Sequence, residues 1–334
     1  MRPLVPRPLL LAFVLLCTTF ISLAQEAAQK AARAQEILSQ ARAALGGEAG
    51  LKAIQSLTAS GSFRGSMMGR AIEGSFKLEL LLPDKLMRTV QVSFGPMQIT
   101  RTETINGNEA WMDLKRDAAM MGGMPGGGEG GFGGGSGGGL GGSPGGGGPG
   151  GPGGGGRGDR MGGGMGGPGM SSGSMNAALS PEMRRELHDD FARLLVSLLL
   201  TSPASAPLDF TWEGEVPGKE NQKADVLMVR GPEDFLMGLY IDQTTHRPLM
   251  IRYRALMMPP RGREEAEKSR SDSEPREAKP VDMQLFFEDY REVSKVWLPH
   301  RVVKTTGGQV TEEWKLSKYK INPDLKAKKF EKKS

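Results

Sequence analysis

The sequence is almost free of cysteine, with one, Cys17, among its 334 residues. That cysteine lies in an apolar run near the N-terminus that we expect to be removed, so the mature chain would carry none. Disulfide bonds, thiolate catalysis and cysteine metal sites are then excluded. The stability of the mature protein must come from a hydrophobic core instead.

Histidine is also scarce, and the three present are His188, His246 and His300. No two of them have the spacing of metal ligands, and no pair of carboxylates is placed to act together on one substrate. A glycine-rich stretch matches the nucleophile pattern G-x-S-x-G, but no strand leads into the matches and no helix follows directly. The sequence therefore predicts no enzyme, no metal and no cofactor.

Long apolar runs are missing after the N-terminus, where no stretch reaches about 18 residues. The N-terminus itself has Arg2 and Arg7, the apolar run Leu9 to Phe20, and the small residues Ser22 and Ala24. This order predicts a cleaved signal peptide over residues 1–24 and export to the periplasm. The alternatives are a secreted protein or one held peripherally on the outer membrane.

The net charge of +5 is unevenly distributed. Residues 318–334 carry seven lysines against Asp324 and Glu331, and the predicted leader carries two arginines. Residues 25–317 therefore sum to about −2. We expect a frayed Lys-rich tail over 324–334 with no role as a binding face, and no nucleic acid as partner.

Glycine is concentrated in one window, since 33 of the 49 glycines lie between Gly122 and Gly173. The window has no three-residue period, which excludes collagen, and its composition predicts a flexible, disordered insert over 122–173. A second solvated loop is predicted over 261–279, where six positive and six negative residues mix. We expect residues 25–334 to form one domain interrupted by both.

The remaining sequence alternates with period two, as antiparallel strands with one wet face do. Asn106, Gly107 and Asn108 predict a tight hairpin turn. Ser180 and Pro181 predict the start of a helix that ends near Leu200. About eleven strands, few helices and no βαβ alternation favour a mainly β fold: a curved antiparallel sheet forming an unclosed barrel covered by helices.

The helix predicted from Ser180 to near Leu200 has an apolar face that includes Phe191, Leu194, Leu195 and Leu198. Two interpretations are open. The helix packs on the sheet as part of an ordinary core, or it forms a lid over a groove that accepts acyl chains.

Four segments have distinctive strand-turn-strand sequences: "GSFKLELLLPDKLMR", "NGNEAW", "LYIDQTTHRPLMIRY" and "FFEDYREVSKVWLPHRVV" followed by "EEWKLSKYKIN". Together they resemble the LolA/LolB-like periplasmic lipoprotein-carrier superfamily, in its poorly characterised branch of outer-membrane lipoprotein-sorting proteins. The resemblance implies an unclosed barrel whose interior shelters acyl chains beneath helices. It places Phe76, Leu78, Leu80 and Trp111 on the concave face, with Arg64 and Arg88 as candidates for an arginine that latches the lid.

Together these observations predict an exported, non-enzymatic binder or carrier of lipid or lipoprotein acyl chains. The predicted ligand-binding residues are those of the groove and the lid, Phe76, Leu78, Leu80, Trp111, Phe191, Leu194, Leu195 and Leu198. The alternative is an envelope-stress sensor or protein-interaction module on the same fold. Predicted partners are acyl chains and, as further candidates, envelope membrane proteins; the chain itself is expected to be a monomer.

Overall fold

The computed structural model describes residues 7–67, 70–94, 97–118, 179–218, 222–257 and 279–332. The predicted glycine-rich insert over 122–173 lies outside these residues, as do residues 261–278 of the predicted charged loop. The described segments contain three α-helices, twelve strands and one 3₁₀ helix.

The helices are α1 (Arg7–Leu45), α2 (Glu48–Lys52) and α3 (Pro181–Leu199), and the 3₁₀ helix is Ala327–Phe330. The strands are β1 (Ser56–Met67), β2 (Arg70–Leu81), β3 (Lys85–Phe94), β4 (Met97–Asn106), β5 (Glu109–Ala118), β6 (Asp209–Pro217), β7 (Lys223–Arg230), β8 (Leu236–Asp242), β9 (Pro248–Met257), β10 (Lys279–Val293), β11 (Val296–Thr306) and β12 (Gln309–Ile321).

All twelve strands belong to one sheet with the order β5-β4-β3-β2-β1-β12-β11-β10-β9-β8-β7-β6. Each described strand pairs antiparallel with its neighbours, and β5 and β6 are the two edges, so the sheet is not closed into a barrel. The predicted mainly β, antiparallel, unclosed architecture is confirmed. The two halves of the chain meet where β1 pairs with β12.

The strand count is twelve rather than about eleven because β1 has a weak sequence signal. Its residues are mostly serine, glycine and alanine, which are poor strand formers. Gly61 is required there, since a Cβ at this position would lie 1.8 Å from the carbonyl oxygen of Lys315 in β12. The pairing also shifts register between Ser60 and Gly61, which marks a β-bulge.

The sheet has two distinct faces, because residues directly opposite across paired strands point the same way. We call the face toward α3 the inner face; Arg88 of β3 and Tyr253 of β9 contact α3 from it. The register carries this face through both halves of the sheet. Its central residues are Leu57, Phe63, Phe76, Leu78, Leu80 and Trp314. The opposite side is the outer face.

Helix α1 packs against β6 and β11. Its buried residues recur with helical spacing and are Ala34, Ile37, Leu38, Ala41 and Leu45. The helix ends at two glycines with positive φ, Gly46 (130°) and Gly47 (86°). Because α1 begins at Arg7, it runs across the predicted cleavage position after Ala24, and cleavage stays a prediction. Among the described helices, none is long and apolar enough to cross a bilayer.

Helix α3 has the predicted boundaries. The side chain of Ser180 accepts a hydrogen bond from the backbone N–H of Met183 (3.3 Å), and Pro181 opens the helix. Leu200 caps the C-terminus in the left-handed conformation (φ 51°) and is fully buried. Its carbonyl oxygen accepts hydrogen bonds from Nε and Nη2 of Arg42 in α1, at 3.2 and 2.9 Å. The C-terminal end of α3 is therefore attached to α1.

The C-terminal tail differs from the frayed segment that its composition suggests. Residues up to Lys332 are described, and Phe330 in the 3₁₀ helix is fully buried. Nζ of Lys329 donates to both carboxylate oxygens of the buried Glu79 in β2, at 2.6 and 2.7 Å. One aromatic anchor and one ion pair hold the segment on the outer face.

We expect Gly61→Ala to destabilise the protein by at least about 2 kcal/mol, because the added methyl group forces β1 and β12 apart. Urea or thermal unfolding would measure the change. The matched control is Gly50→Ala in α2, where a Cβ meets nothing within 4 Å. That helical substitution should leave stability unchanged or raise it by about 0.5–1 kcal/mol. Equal effects at the two positions would contradict the assigned register.

Candidate functional site

Seven of the eight predicted binding residues, three on β2 and four on α3, belong to the same hydrophobic cluster of the core. Phe76, Leu78 and Leu80 are buried on β2. On α3, Phe191, Leu195 and Leu198 are buried and Leu194 is partly buried. The helix lies against β4, β5 and β9, so its apolar side covers that part of the inner face. This packing is common to a core helix and to a lid.

Trp111 lies elsewhere. Across the neighbouring strands, Trp111 lies opposite Thr104, Thr104 opposite Met87, and Met87 opposite Glu79, so all four share one face of the sheet. That face is the outer one, because Glu79 contacts the C-terminal tail there. The structure therefore separates Trp111 from the predicted groove by the thickness of the sheet. The sequence of β5 already indicates this placement, because Ala110, Met112 and Leu114 alternate with Trp111 and form the apolar side of the strand.

Aromatic rings line the centre of the inner face. The ring of Trp314 in β12 lies 6.3 Å from that of Phe63 and 5.9 Å from that of Phe76, measured between centroids. Such tilted pairs add to the stability gained from burial. The indole N–H of Trp314 is buried and makes no hydrogen bond within the described segments. It is a polar donor facing an otherwise apolar layer.

A charged network crosses this apolar layer. Arg88 stands on the inner face of β3, beside Leu78 of β2. Its guanidinium donates to Glu103 of β4 and to Asp190 of α3, the latter at 3.1 Å. Glu103 also accepts from Arg101. Burial would raise the pKa of Glu103, but the two guanidinium groups hold that pKa below its usual value.

Arg193 continues the network along α3. Its side chain is 7% exposed and forms ion pairs with Glu186 (2.8 Å), Asp190 (3.0 Å) and Asp189 (3.6 Å). Its guanidinium carbon lies 3.8 Å from the centroid of the Tyr253 ring in β9, within cation–π distance. Asp190 thus ties α3 to one half of the sheet, and Arg193 ties it to the other.

Of the two arginines considered from the sequence as a latch, Arg88 contacts the helix and Arg64 does not. Arg64 pairs with Glu73 (2.9 Å), and both side chains are exposed on the outer face. The sequence analysis missed Glu103, Asp190, Arg193 and Tyr253. A signal was present in α3, since Glu186, Asp190 and Arg193 follow at helical spacing on a stripe beside the apolar residues.

A cavity of about 320 Å³ opens beside the N-terminal half of α3. Its walls are α3, the turn at Asn108, the segment from Pro203 to Leu208 and the turn from Pro232 to Phe235. Apolar side chains such as Phe191 and Phe235 meet the polar Arg185, His188 and Asp189 there. Mixed walls of this kind suit a ligand with an apolar body and a polar end.

Asp189 is a partly buried carboxylate in the wall of this cavity. Burial raises its pKa to about 6, against a smaller opposing effect of Arg193. Asp190, one residue on, differs: burial acts to raise its pKa, but Arg88 and Arg193 outweigh burial and lower it. In the described parts of the chain, no group of histidine, cysteine and carboxylate side chains is arranged to hold a metal ion.

We expect Asp189→Asn to remove a pH dependence of stability. The folded protein binds the Asp189 proton more tightly than the unfolded chain, so this contribution is complete below about pH 4 and is lost as the pH rises through about 6. The variant should therefore exceed the wild type by about 2 kcal/mol at neutral pH and match it near pH 4. Urea unfolding across this range measures the difference.

The neighbouring substitution Asp190→Asn is a control whose effect on stability at neutral pH should have the opposite sign. Its lowered pKa means that the wild-type carboxylate stabilises the fold at neutral pH and that this contribution fades in acid. Asp190→Asn should therefore be less stable than the wild type at neutral pH. Parallel pH profiles for the two variants would contradict the assigned environments.

No protein-family model matches the chain, and no curated protein matches it. Among solved structures, it is similar to a DUF1329 family protein from Desulfovibrio piger, with 9% identity, coverage of 89% of this chain and 97% of the other, and a TM-score of 0.43. A putative outer membrane lipoprotein-sorting protein domain from Vibrio parahaemolyticus matches with 10% identity, 90% and 97% coverage, and a TM-score of 0.43. A LolA superfamily protein from Nitrosomonas europaea matches with 13% identity, 90% and 97% coverage, and a TM-score of 0.38. The second and third are of the kind that the sequence phrases resemble, and at such identities the likeness concerns the course of the backbone and not the side chains of a site.

Proposed function

We propose that this protein is an exported, non-enzymatic binder or carrier of lipid or lipoprotein acyl chains. The chains would lie between the inner face and α3, in contact with Phe76, Leu78, Leu80, Phe191, Leu194, Leu195 and Leu198. The observation that carries the proposal is that charged side chains, in addition to apolar ones, hold α3 on the sheet. Trp111, on the outer face, is not included.

The charges matter because a helix that serves only as core has no need of them. Placing Arg88, Glu103, Asp190 and Arg193 at an apolar contact carries a desolvation penalty that offsets much of their mutual attraction. Replacing such a network by well-packed apolar residues is often neutral or stabilising. An ion-paired contact can instead be opened with its groups rehydrated, which suits a helix that must leave the sheet.

The attachments of α3 differ along its length. At the C-terminal end, Arg42 holds the carbonyl of Leu200, and Leu198, Leu199 and Leu200 are buried. At the N-terminal end, Met183 is exposed and the cavity lies beside the helix. We infer that α3 opens at its N-terminal half about the buried end at Leu200, and that the cavity marks the entry of the ligand.

The expected energies allow reversible binding. An acyl chain of about sixteen carbons gains about 12 kcal/mol from burial of its methylene groups. Association costs of roughly 4–15 kcal/mol offset much of this gain. A closed α3 competes further with the ligand for the inner face, so the apparent affinity depends on how firmly the helix is attached. The N–H of Trp314 could donate to a carbonyl of the bound lipid.

The direct test is to identify the molecules that are bound to the protein when the cell produces it. The full-length gene is expressed, the protein is purified from the exported fraction, and its organic extract is measured by mass spectrometry. We expect acyl lipids in near-stoichiometric amount. An extract without lipid, together with a co-purified protein bound to an empty groove, would contradict the carrier proposal and favour the interaction module.

A second test weakens the attachment of α3. Asp190→Asn keeps the shape of the side chain but removes a carboxylate that accepts from two arginines. Because charged hydrogen bonds contribute about 1.5–3 kcal/mol, the closed state should lose at least one such increment. A fluorescent fatty acid should then bind about tenfold more tightly than to the wild type. Equilibrium titration measures the change.

The matched control is Asp282→Asn, which also removes a carboxylate paired with two arginines, Arg252 (2.9 Å) and Arg254 (3.4 Å). That network is exposed and lies on the outer face of β9 and β10, on the opposite side of the sheet from α3, so fatty-acid affinity should stay at the wild-type value. Unchanged or weaker binding by a folded Asp190→Asn variant would show that α3 is a core helix.

A further inference from the structure

Lysines from two strands of the sheet and from the C-terminal tail lie together on the outer face. Five of them, which we call the lysine face, are Lys77 of β2, Lys315, Lys318 and Lys320 of β12, and Lys328 of the C-terminal 3₁₀ helix. All five are exposed. They come together because β1 pairs with β2 on one side and with β12 on the other.

The register places lysines on both sides of β1. Ser60 lies directly opposite Lys318 in β12 and opposite Lys77 in β2. Thr58 is opposite Lys320, and Ser62 is opposite Lys315. The residues between the lysines are thus small and carry hydroxyl groups. The lysine side chains project beyond a shallow strip of hydrogen-bond donors.

The bound tail completes this surface. Lys329 of the 3₁₀ helix reaches Glu79 on β2, and the buried Phe330 anchors the same helix beside β3 and β4. Glu79 accepts from both Lys329 and Lys77, which keep its pKa low although burial would raise it. The tail therefore neutralises the buried carboxylate and adds Lys328 to the exposed charge.

Most of the positive charge on this face is not neutralised. Within the described segments, Lys315, Lys318, Lys320 and Lys328 form no ion pair. The nearby Glu313 is already paired with Arg301 at 2.7 Å. A surface with several unpaired cations of one sign attracts an extended anionic partner.

We infer that the lysine face docks on an anionic lipid bilayer. Nucleic acid is disfavoured because no exposed aromatic ring lies among these lysines to stack on bases: Trp314 and Tyr319 belong to the inner face, and Phe330 is buried. Clustered lysines near an anionic leaflet need no shape match, because the surface potential itself attracts them. The docking is electrostatic and reversible, because the lysine face offers cations and small hydroxyl residues to the bilayer.

Docking through the outer face sets the orientation of the molecule. The bilayer covers the side of β1, β2 and β12 away from α3, which leaves α3 free to open. This inference does not depend on the occupant of the inner face. A protein with an empty groove would dock in the same way.

The test uses vesicles of phosphatidylcholine alone and of phosphatidylcholine with phosphatidylglycerol. The wild-type protein should co-sediment with the anionic vesicles at low ionic strength, bind less at physiological ionic strength, and ignore the neutral vesicles. The triple variant K315Q/K318Q/K320Q should bind the anionic vesicles on the order of 100-fold more weakly, about fivefold for each lysine.

The control variant is K30Q/K52Q/K223Q, which changes the net charge equally at lysines of α1, α2 and β7 that are paired with Glu26, Glu48 and Glu215. It should bind anionic vesicles within a few-fold of the wild type. Equal losses in the two variants, or equal binding of the wild type to neutral vesicles, would overturn the inference. Fatty-acid affinity of K315Q/K318Q/K320Q should match the wild type, so failure of docking is distinguishable from failure of the carrier proposal.

Discussion

The pairing of β1 with β12 is the interaction on which the rest of the structure depends. It joins the first five strands to the last seven in a single sheet and leaves β5 and β6 as edges. Helix α3 follows β5 and precedes β6 in the chain, and it lies where it can contact β4, β5 and β9. The close approach of Gly61 to Lys315 is a requirement of this one junction. The same junction also gathers the lysines of the outer face.

Two kinds of contact with different strengths hold α3. Apolar side chains contribute most of the attraction and do so without preferred geometry. The network of Arg88, Glu103, Asp190 and Arg193 contributes little net stability but fixes one position of the helix on both halves of the sheet. The apolar contacts therefore supply the attraction, and the ion pairs set the one position that α3 occupies on the sheet.

Local features were predictable from the sequence, and pairings between distant residues were not. Ser180 and Pro181 marked the start of α3, and Asn106 with Gly107 marked a hairpin, because each acts within a few residues. Strand β1 was not predicted, because its serines and glycines have low strand propensity. They allow close contact with β12, which lies far along the chain. The ion pair of Arg88 with Asp190 joins residues 102 positions apart, so the charge pattern along α3 could not by itself identify Arg88 as the partner. The lysine-rich composition of the tail predicted a frayed segment, whereas the single buried Phe330 holds it on the sheet.

The position of the last strand has a consequence for how the chain folds. Leu57 at the start of β1 pairs with Ile321 at the end of β12, so nearly the whole sequence separates the two partners. Contacts between such distant residues form slowly because a long loop must close first. The sheet cannot be completed before β12 has been synthesised, and until then β1 has one partner strand in place of two. A chain built in this way stays incompletely folded throughout its own translation, and its sheet closes only after the last strand is available.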